Sequence, residues 1–386
     1  MAGSLLGRVG VIDAVALWPT ALRPTVALDM GDRTSQAWMR PLLPARARAV
    51  GRHPRAWQSA RARALVVSRG KPTPVLAAER ALHRELLEPR VSLYSSSEYA
   101  GKVICFVSEL RASAPTVVVK AMAQRSDGWW LRREVGNLAA VRARVSAVTA
   151  EGLLPPPLLA QELEGEYLVV EAYGGFDRSC ERSPAARDRA HRWLRGFQRS
   201  TTRARRAWSG SDSDRALATV AQGWRLLRPA AAEEIVAATR AALEPLHGRA
   251  VPRCSVHGDF SPCNLAEKRG QLKVLDWEWA RMEGLPCFDL WCYQLAELQW
   301  HLARRGALSL DAQLEGALSF VEGELRRAGI EPAFALATLP AALAELVARV
   351  RRTLGRPGSW ERAGPQLMAA VERALSAHER NRALAR

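Results

Sequence analysis

The sequence predicts an α+β fold of two lobes: a strand-rich N-terminal lobe and a mainly helical C-terminal lobe, preceded by an N-terminal extension. The first observation is length, because 386 residues exceed one small core and suit two. The second is pattern: short β-type apolar runs dominate up to about residue 173, and helical spacing dominates after it. We expect the extension at 1–63, the N-terminal lobe at 64–173 and the C-terminal lobe at 174–386.

The N-terminal extension has no readable fold. Residues 1–63 mix short apolar runs with prolines and a basic cluster, RPLLPARARAVGRHPRAWQSARAR. Its start, MAGSLLGRVGVIDAVALWPTALRP, carries Arg8 and Asp13 and lacks the clean apolar run of a signal peptide. We therefore assign no element to the extension and expect no secretion signal in it.

The N-terminal lobe is predicted to contain strands and one conspicuous helix. The segments RVSLYSSS, GKVICFVSEL and APTVVVKAM have β-type composition, and GLLPPPLLAQELEGEYLVVEAYGG adds two later strands after a Pro-rich turn. The residues at 73–88 and 129–147 repeat apolar side chains at helical spacing. The lobe should thus be a sheet with helices against it.

The C-terminal lobe is predicted to be helical around one interruption. SPAARDRAHRWLRGFQRST begins a helix, 212–248 gives one or two more, and the chain is helical again from about 285. We expect breaks at Gly306, Gly329, Pro340 and LGRPGSW. Between these helices, SVHGDFSPCN and QLKVLDWEWA form a strand–loop–strand segment.

Composition limits the classes of function. The chain is 48% hydrophobic and 25% charged, an ordinary globular composition, and it has no apolar run long enough to span a membrane. The six cysteines contain no CxxC pair, so we expect reduced thiols of a cytoplasmic protein. The formal charge of +17 raises the alternative of nucleic-acid binding.

The distribution of charge weakens that alternative. The extension has ten Arg against three Asp, whereas 254–300 has seven acidic side chains against four basic ones. Carboxylates gathered in the most unusual segment favour a cation over a polyanion as its ligand. Nucleic-acid binding is therefore the less favoured reading.

The strand–loop–strand segment offers oxygen ligands and a free carboxylate. Asn264 and Asp276 lie at the two ends of a hairpin-like connection and supply an amide and a carboxylate oxygen, which suit Mg²⁺. Asp259, on the same loop, is free to accept a proton, and His257 can brace the loop through hydrogen bonds. Gly and Pro shape the backbone of this loop. Because the motif occurs together with its strand context and partner residues, a functional site is favoured over a surface turn.

These motifs carry a family resemblance. The pattern HGDFSPCN, then LDWE, then GLPCFDL resembles the aminoglycoside phosphotransferase/choline kinase family, whose members share the protein-kinase-like fold. The resemblance covers roughly 90–300 and is strongest at 254–292. It implies a small-molecule phosphotransferase that uses ATP or GTP and Mg²⁺ and has a hydroxyl acceptor.

The resemblance also implies roles for single residues. Asp259 matches the catalytic aspartate and His257 the loop histidine, while Asn264 and Asp276 match the metal ligands. Lys120 is the candidate for the strand lysine that binds the nucleotide phosphates, and Glu134 is its candidate helix partner. Backbone groups in the connector strand would meet adenine, at Val170, Glu171 and Ala172.

The resemblance has two departures. The Gly-rich phosphate loop is missing, and YSSSEYAGK stands in its place, which leaves the choice of ATP or GTP open. Glu278, two residues after Asp276, is a candidate metal ligand or supporting group, whereas Asp289 is expected to hold the loop by hydrogen bonds. The missing loop keeps open a catalytically weak nucleotide-binding module. The acceptor and the oligomeric state are not readable from the sequence.

Overall fold

The structure is a computed structural model. It describes residues 15–20, 23–29, 73–87, 89–95, 102–109, 112, 114–122, 125–163, 165–174, 184–268, 271–305, 310–354 and 359–384. The chain divides into two compact units. Unit 1 comprises 1–139, 151–189 and 266–278, and unit 2 comprises 140–150, 190–265 and 279–386.

Unit 1 is built on an antiparallel sheet in the order β1-β2-β3-β4-β5-β7-β6. Its strands are β1 (Val15–Thr20), β2 (Arg23–Asp29), β3 (Arg90–Ser95), β4 (Lys102–Ser108), β5 (Val117–Met122), β6 (Leu159–Leu163) and β7 (Glu166–Ala172). The first two strands come from the extension, to which the sequence assigned no element. They form one edge of the sheet, next to β3.

The two faces of this sheet bury different side chains, because successive residues of a strand point to opposite faces. Helix α1 (Thr73–Leu82) packs with one set of alternating apolar side chains, and helix α2 (Trp129–Arg142) packs with the other. The first set includes Val103, Cys105, Val107, Val117, Val119, Leu168 and Val170. The second includes Met122 and Val169, which pack with Leu131 of α2. Polar side chains in register with the second set therefore lie beneath α2.

Strands β10 (Leu265–Lys268) and β11 (Gln271–Val274) form a separate two-stranded sheet. Val274 forms a parallel bridge with Leu153, and its N–H donates to the carbonyl of Gly152 at 2.9 Å. The two-stranded sheet thereby fixes the start of the segment that carries Asp276.

Unit 2 is mainly helical. Its helices are α3 (Ala147–Ala150), most of α4 (Pro184–Thr201), α5 (Gly210–Leu227), α6 (Ala232–Leu243), α7 (Pro286–Arg305), α8 (Leu310–Arg327), α9 (Phe334–Leu354) and α10 (Ser359–Leu384). A three-stranded sheet accompanies them, in the order β12-β9-β8, with β8 at Ala204–Ala207, β9 at Ala250–Val256 and β12 at Arg281–Gly284. The core of unit 2 contains large, fully buried side chains such as Phe197, Trp224, Trp291 and Phe334.

The predicted α+β class is confirmed, since the long sheet lies in the N-terminal half and most helices in the C-terminal half. The predicted helix at 129–147 ends earlier, at Arg142. The predicted break at Pro340 is wrong, because this proline lies inside α9. Its neighbours Leu339 and Leu343 are completely buried, and their packing outweighs the missing N–H. The lobe boundaries after 63 and 173 stay predictions.

In the part of the chain that the structure describes, no helix combines the length and the apolar character required to cross a membrane.

Candidate active site

Strand register gathers three charged side chains on the α2 face of unit 1. Lys120 of β5 pairs with Ile104 of β4, so Lys102, two residues before Ile104, is a diagonal neighbour on the same face. Glu171 of β7 pairs with Val118 and alternates onto that face as well. With Glu134 of α2, and with Asp276 and Glu278 after β11, these side chains form the lysine–carboxylate cluster.

Lys120 lies at the centre of one half of the cluster. Its ammonium is 2.6 Å from Glu134 Oε1, 3.1 Å from Glu171 Oε1 and 3.9 Å from Asp276 Oδ1. The structure thus brings together Lys120, Glu134 and Asp276, which were assigned to phosphate and metal binding, and it adds the side chain of Glu171. Their roles in catalysis stay predictions.

Lys102 lies at the centre of the other half, and the sequence analysis missed it. Its ammonium is 3.0 Å from Glu134 Oε2, 3.1 Å from Asp276 Oδ1 and 3.4 Å from Glu278 Oε1. Like Lys120, it is buried. Strand alternation placed Lys102 on one of two faces, but only the pairing of β4 with β5 shows that it joins Lys120.

The segment after β11 is held in an unusual backbone conformation. Asp276 has a φ of 60°, a left-handed region that Asp tolerates better than most residues but that remains uncommon. Asn137 of α2 donates its side-chain N–H to the carbonyl of Trp277 at 2.9 Å and to that of Glu278 at 3.3 Å. Trp277 Nε1 donates to the carbonyl of Val274 at 3.0 Å. These bonds fix the direction in which Asp276 and Glu278 enter the cluster.

Burial and charge act against each other throughout the cluster. Burial by itself lowers the pKa of Lys102, but Asp276, Glu134 and Glu278 outweigh it and raise that pKa well above its ordinary value. Burial also lowers the pKa of Lys120, but the nearest carboxylates, Glu134 and Glu171, outweigh burial and raise that pKa. Both lysines therefore carry a full positive charge.

The carboxylates respond differently according to their partners. Burial raises the pKa of Glu134, but Lys102 and Lys120 outweigh it, so the pKa is lowered. Burial dominates at Glu171 and raises its pKa. Burial also dominates at Glu278, whose pKa is raised to about 7. A further cation near Glu278 would stabilise its ionised form.

Three of these carboxylates fit a divalent cation. Oxygen atoms of Glu134, Asp276 and Glu278 all lie within 4.8 Å of one another, and hard cations such as Mg²⁺ take oxygen ligands. Glu278 Oε2 is buried and has no hydrogen-bond partner among the described residues. An oriented, buried oxygen without a partner is suited to a metal ligand.

Unit 2 carries the loop at 257–264, which follows the end of β9. Asp289, in the first turn of α7, accepts the backbone N–H groups of His257 at 2.7 Å and of Gly258 at 2.8 Å. The N–H of Asp259 donates to His257 Nδ1 at 3.2 Å. Asn264 donates its side-chain N–H to the carbonyl of Asp259 at 2.9 Å and to its Oδ2 at 2.7 Å. Within unit 2 the predicted site residue Asp259 thus contacts the two others, His257 and Asn264.

Position 258 requires glycine, because there is no room for a side chain. Its φ is +84°, and a Cβ atom there would lie 2.3 Å from the carbonyl oxygen of Trp279, well inside van der Waals contact. The carbonyl of Gly258 accepts from Arg349 of α9, a residue the sequence analysis did not find. The Arg349 guanidinium lies over the rings of Trp279, at 4.6 Å, and Phe288, at 5.3 Å, and pairs with Glu345. Because 91 residues separate Arg349 from Gly258, no local pattern could have indicated this contact.

The remaining predicted residues lie on β7. Val170 is buried, and its carbonyl accepts the N–H of Leu158 at 2.7 Å. Glu171 directs its side chain to Lys120, and Ala172 is exposed. The adenine contact of these three residues stays a prediction. The turn YSSSEYAGK falls largely outside the described residues. Asn264 and Asp276 belong to different units, so the metal site that these two residues are expected to share stays a prediction.

Comparison with protein-family models finds no match, and no curated protein sequence matches either. Among solved structures, the chain is similar to a thermostable mutant of aminoglycoside phosphotransferase APH(4)-Ia in a ternary complex with ADP and hygromycin B. The identity is 14% and the TM-score 0.46, with 73% of this chain and 93% of that one covered.

Two further similar structures belong to other small-molecule kinases. A glucosamine kinase in complex with glucosamine, ADP and inorganic phosphate has 15% identity and a TM-score of 0.42, with 78% of this chain and 84% of that one covered. A GDP complex of a mutant aminoglycoside 2'-phosphotransferase-IIIa has 13% identity and a TM-score of 0.40, with 73% and 89% covered. By their names, all three similar structures are kinases or phosphotransferases of small molecules.

Proposed function

We propose that this protein is a Mg²⁺-dependent phosphotransferase that moves the γ-phosphoryl group of ATP or GTP to a hydroxyl group of a small molecule. The observation that carries the proposal is the position of Lys120, whose buried ammonium contacts Glu134 and Glu171 and lies 3.9 Å from Asp276. We base it on the chain's own residues, since identities of 13 to 15% support no conclusion about activity.

In this proposal unit 1 holds the nucleotide and its metal ion. Lys120 binds phosphate oxygens and stays oriented by Glu134, in the manner of a kinase strand lysine. Asp276 and Glu278 supply carboxylate oxygens to the metal, and Asn264 of unit 2 is the further candidate ligand. When bound, Mg²⁺ neutralises the charge on the phosphate oxygens and orients them.

Asp259 of unit 2 positions the acceptor hydroxyl and takes its proton. Its carboxylate is oriented by Asn264, its backbone by His257, and the loop itself by Asp289. A carboxylate held in this way contributes through orientation as well as basicity.

The test is a screen for nucleotide consumption by the purified protein. ATP and GTP are each offered with Mg²⁺ and with aminoglycosides, amino alcohols, sugars or nucleosides as acceptors. We expect one acceptor class to stimulate consumption, and we expect Asp259→Ala to abolish that stimulation. Asp214→Ala, an exposed position of the same unit, is the matched control and should retain it. If no nucleotide binds with Mg²⁺, the proposed function is wrong.

A nucleotide-binding module without turnover is the second candidate, and one observation favours it. Lys102 lies among Glu134, Asp276 and Glu278, the carboxylates that suit a metal ion. Its ammonium therefore competes with the metal ion on which transfer would depend. Binding of Mg²⁺ and ATP without consumption for any acceptor would support this module over the phosphotransferase.

A further inference from the structure

Lys102 occupies the place where the three clustered carboxylates converge. Its ammonium is 3.0 to 3.4 Å from Glu134, Asp276 and Glu278, and these are the side chains whose oxygens lie within 4.8 Å of one another. An ammonium and a divalent cation at that position compete, because both are attracted to the same three carboxylates and repel each other. A metal ion held by all three carboxylates would therefore weaken the ion pairs of Lys102.

The two lysines would keep different carboxylate partners if a metal ion bound to these three side chains. Lys120 keeps Glu171, at 3.1 Å, which is outside the three-carboxylate set. Among the residues that the structure describes, Lys102 forms three ion pairs, and all three lie inside that set. A buried ammonium that loses its carboxylates requires another anion, since an unpaired buried charge is strongly unfavourable.

We propose that Lys102 is a displaceable internal cation. Without metal it neutralises Glu134, Asp276 and Glu278. When metal and nucleotide bind, its ammonium leaves these carboxylates and binds the phosphate groups as a second lysine beside Lys120. This inference rests on the proposed function, and it adds a second phosphate contact to that of Lys120 in a chain whose sequence has no Gly-rich loop.

The flexible side chain of lysine suits this exchange. Four methylene groups let the ammonium move by several ångströms without a change in the backbone, and Lys102 lies at the first residue of β4. The metal and the phosphates arrive with opposite charges, so the metal takes the carboxylates as the phosphates take the ammonium. The charge around each group stays balanced before and after binding.

Substitution of Lys102 by methionine should move two affinities in opposite directions. Lys102→Met removes the competitor for the carboxylates, so the affinity for Mn²⁺ alone, measured from free Mn²⁺ by electron paramagnetic resonance, should rise by about tenfold or more. At saturating Mn²⁺, the affinity for ATP measured by calorimetry should fall by about tenfold or more because one phosphate contact is lost. The affinity for adenosine, which has no phosphate, should not change.

A lysine with a purely structural role gives another pattern. Its loss would weaken Mn²⁺, ATP and adenosine binding together, and that result would overturn the proposal. Lys273→Met is the matched control, because Lys273 is in unit 1 but donates to the backbone carbonyls of Glu151 and Leu153. It should bind all three probes like the wild type. If Lys102→Met does not fold, Lys102→Gln keeps hydrogen-bond donors without the charge and carries the same expectations.

The wild-type protein offers an independent measurement. The chain has five lysines, at 71, 102, 120, 268 and 273, so acylation of each amine can be followed by mass spectrometry. Mn²⁺ alone should increase the labelling of Lys102, since the displaced ammonium becomes reachable, and Mn²⁺ with ATP should suppress it. Unchanged labelling of Lys102 in all three states would contradict the displacement.

The failure of this inference is distinguishable from that of the proposed function. If the wild-type protein binds no ATP in the presence of Mn²⁺ or Mg²⁺, the proposed function fails, and the phosphate contact fails with it. If the wild type binds ATP and Lys102→Met changes neither Mn²⁺ nor ATP affinity, the inference alone is overturned.

Discussion

Asn264 donates two hydrogen bonds to Asp259, one to its backbone carbonyl at 2.9 Å and one to its carboxylate at 2.7 Å. A single amide thus fixes both the main chain and the side chain of the residue proposed to position the acceptor. The five-residue separation makes this possible, because the 3₁₀ turn Pro262–Asn264 brings the chain back over Asp259. Orientation of Asp259 therefore depends on Asn264 directly.

Asn264→Ala should strongly lower the rate of phosphoryl transfer, and its effect on the free energy of unfolding should be small by comparison. Without the amide, the Asp259 carboxylate loses its fixed orientation, and misplacement of a catalytic group by about 1 Å costs on the order of 10²-fold in rate. We expect kcat to fall by about that factor, as measured with the acceptor identified in the screen. A kcat equal to that of the Asp214→Ala control would show that this orientation is unimportant.

Gly258→Ala should strongly destabilise unit 2. The φ of +84° is unfavourable for alanine, and its Cβ would lie 2.3 Å from the Trp279 carbonyl oxygen. Either the loop or the segment at Trp279 must move, and we expect a loss of about 2–4 kcal/mol in the free energy of unfolding, measured by urea denaturation.

Gly316→Ala is the matched control for this substitution. Gly316 lies within α8, and a Cβ atom there would meet nothing within 4 Å. Alanine should stabilise the helix by about 0.5–1 kcal/mol. Equal effects at Gly258 and Gly316 would mean that the close approach to Trp279 is not a constraint.

The sequence was sufficient for the parts of the site that depend on neighbouring residues. The loop at 257–264 is continuous in the chain, and its turn residues, carboxylate and amide are readable as one motif. Lys120 and Glu134 are separated by only 14 residues, on a strand and the helix that follows it. The relative positions of residues close in the chain can be predicted from sequence patterns, because the strand and helix periods set where each side chain points.

Contacts that depend on register or on distant segments were not predictable. Lys102 reaches the cluster because Ile104 pairs with Lys120, and pairing between strands is not encoded in either strand alone. The strands β1 and β2 were hidden by their prolines, since proline within an apolar run argues against a strand. In the structure Pro19 is paired with Pro24, next to an irregularity in register.

Asp289→Asn should loosen the 257–264 loop. The carboxylate accepts one buried N–H at each oxygen, from His257 and from Gly258, and an amide offers only one oxygen. One buried donor then lacks an acceptor, at a cost of about 1–3 kcal/mol, measured by chemical denaturation. Asp311→Asn, which is exposed in the first turn of α8, should stay within about 0.5 kcal/mol of wild type. Similar losses at both positions would contradict this role of Asp289.

Glu345 should make the stability of unit 2 depend on pH in the acid range. Burial raises the pKa of its carboxyl, but Arg349 and Arg281 outweigh burial and lower it from the ordinary 4.5. A carboxyl with a lowered pKa in the folded state stabilises the protein above its ordinary pKa, and this contribution is lost as the pH falls below that value.

Glu345→Gln tests this dependence. At pH 7 the variant leaves Arg349 without its buried partner and should lose about 3 kcal/mol in the free energy of unfolding. Because only the wild type loses the contribution of the carboxylate in acid, the difference between the two proteins should narrow as the pH falls from 4.5. Urea denaturation at several pH values measures it. Glu283→Gln, from an exposed pair with Arg206, is the control and should differ from wild type by less than about 1 kcal/mol. A difference at Glu345 that is constant with pH would show that the carboxylate is not stabilised by these arginines.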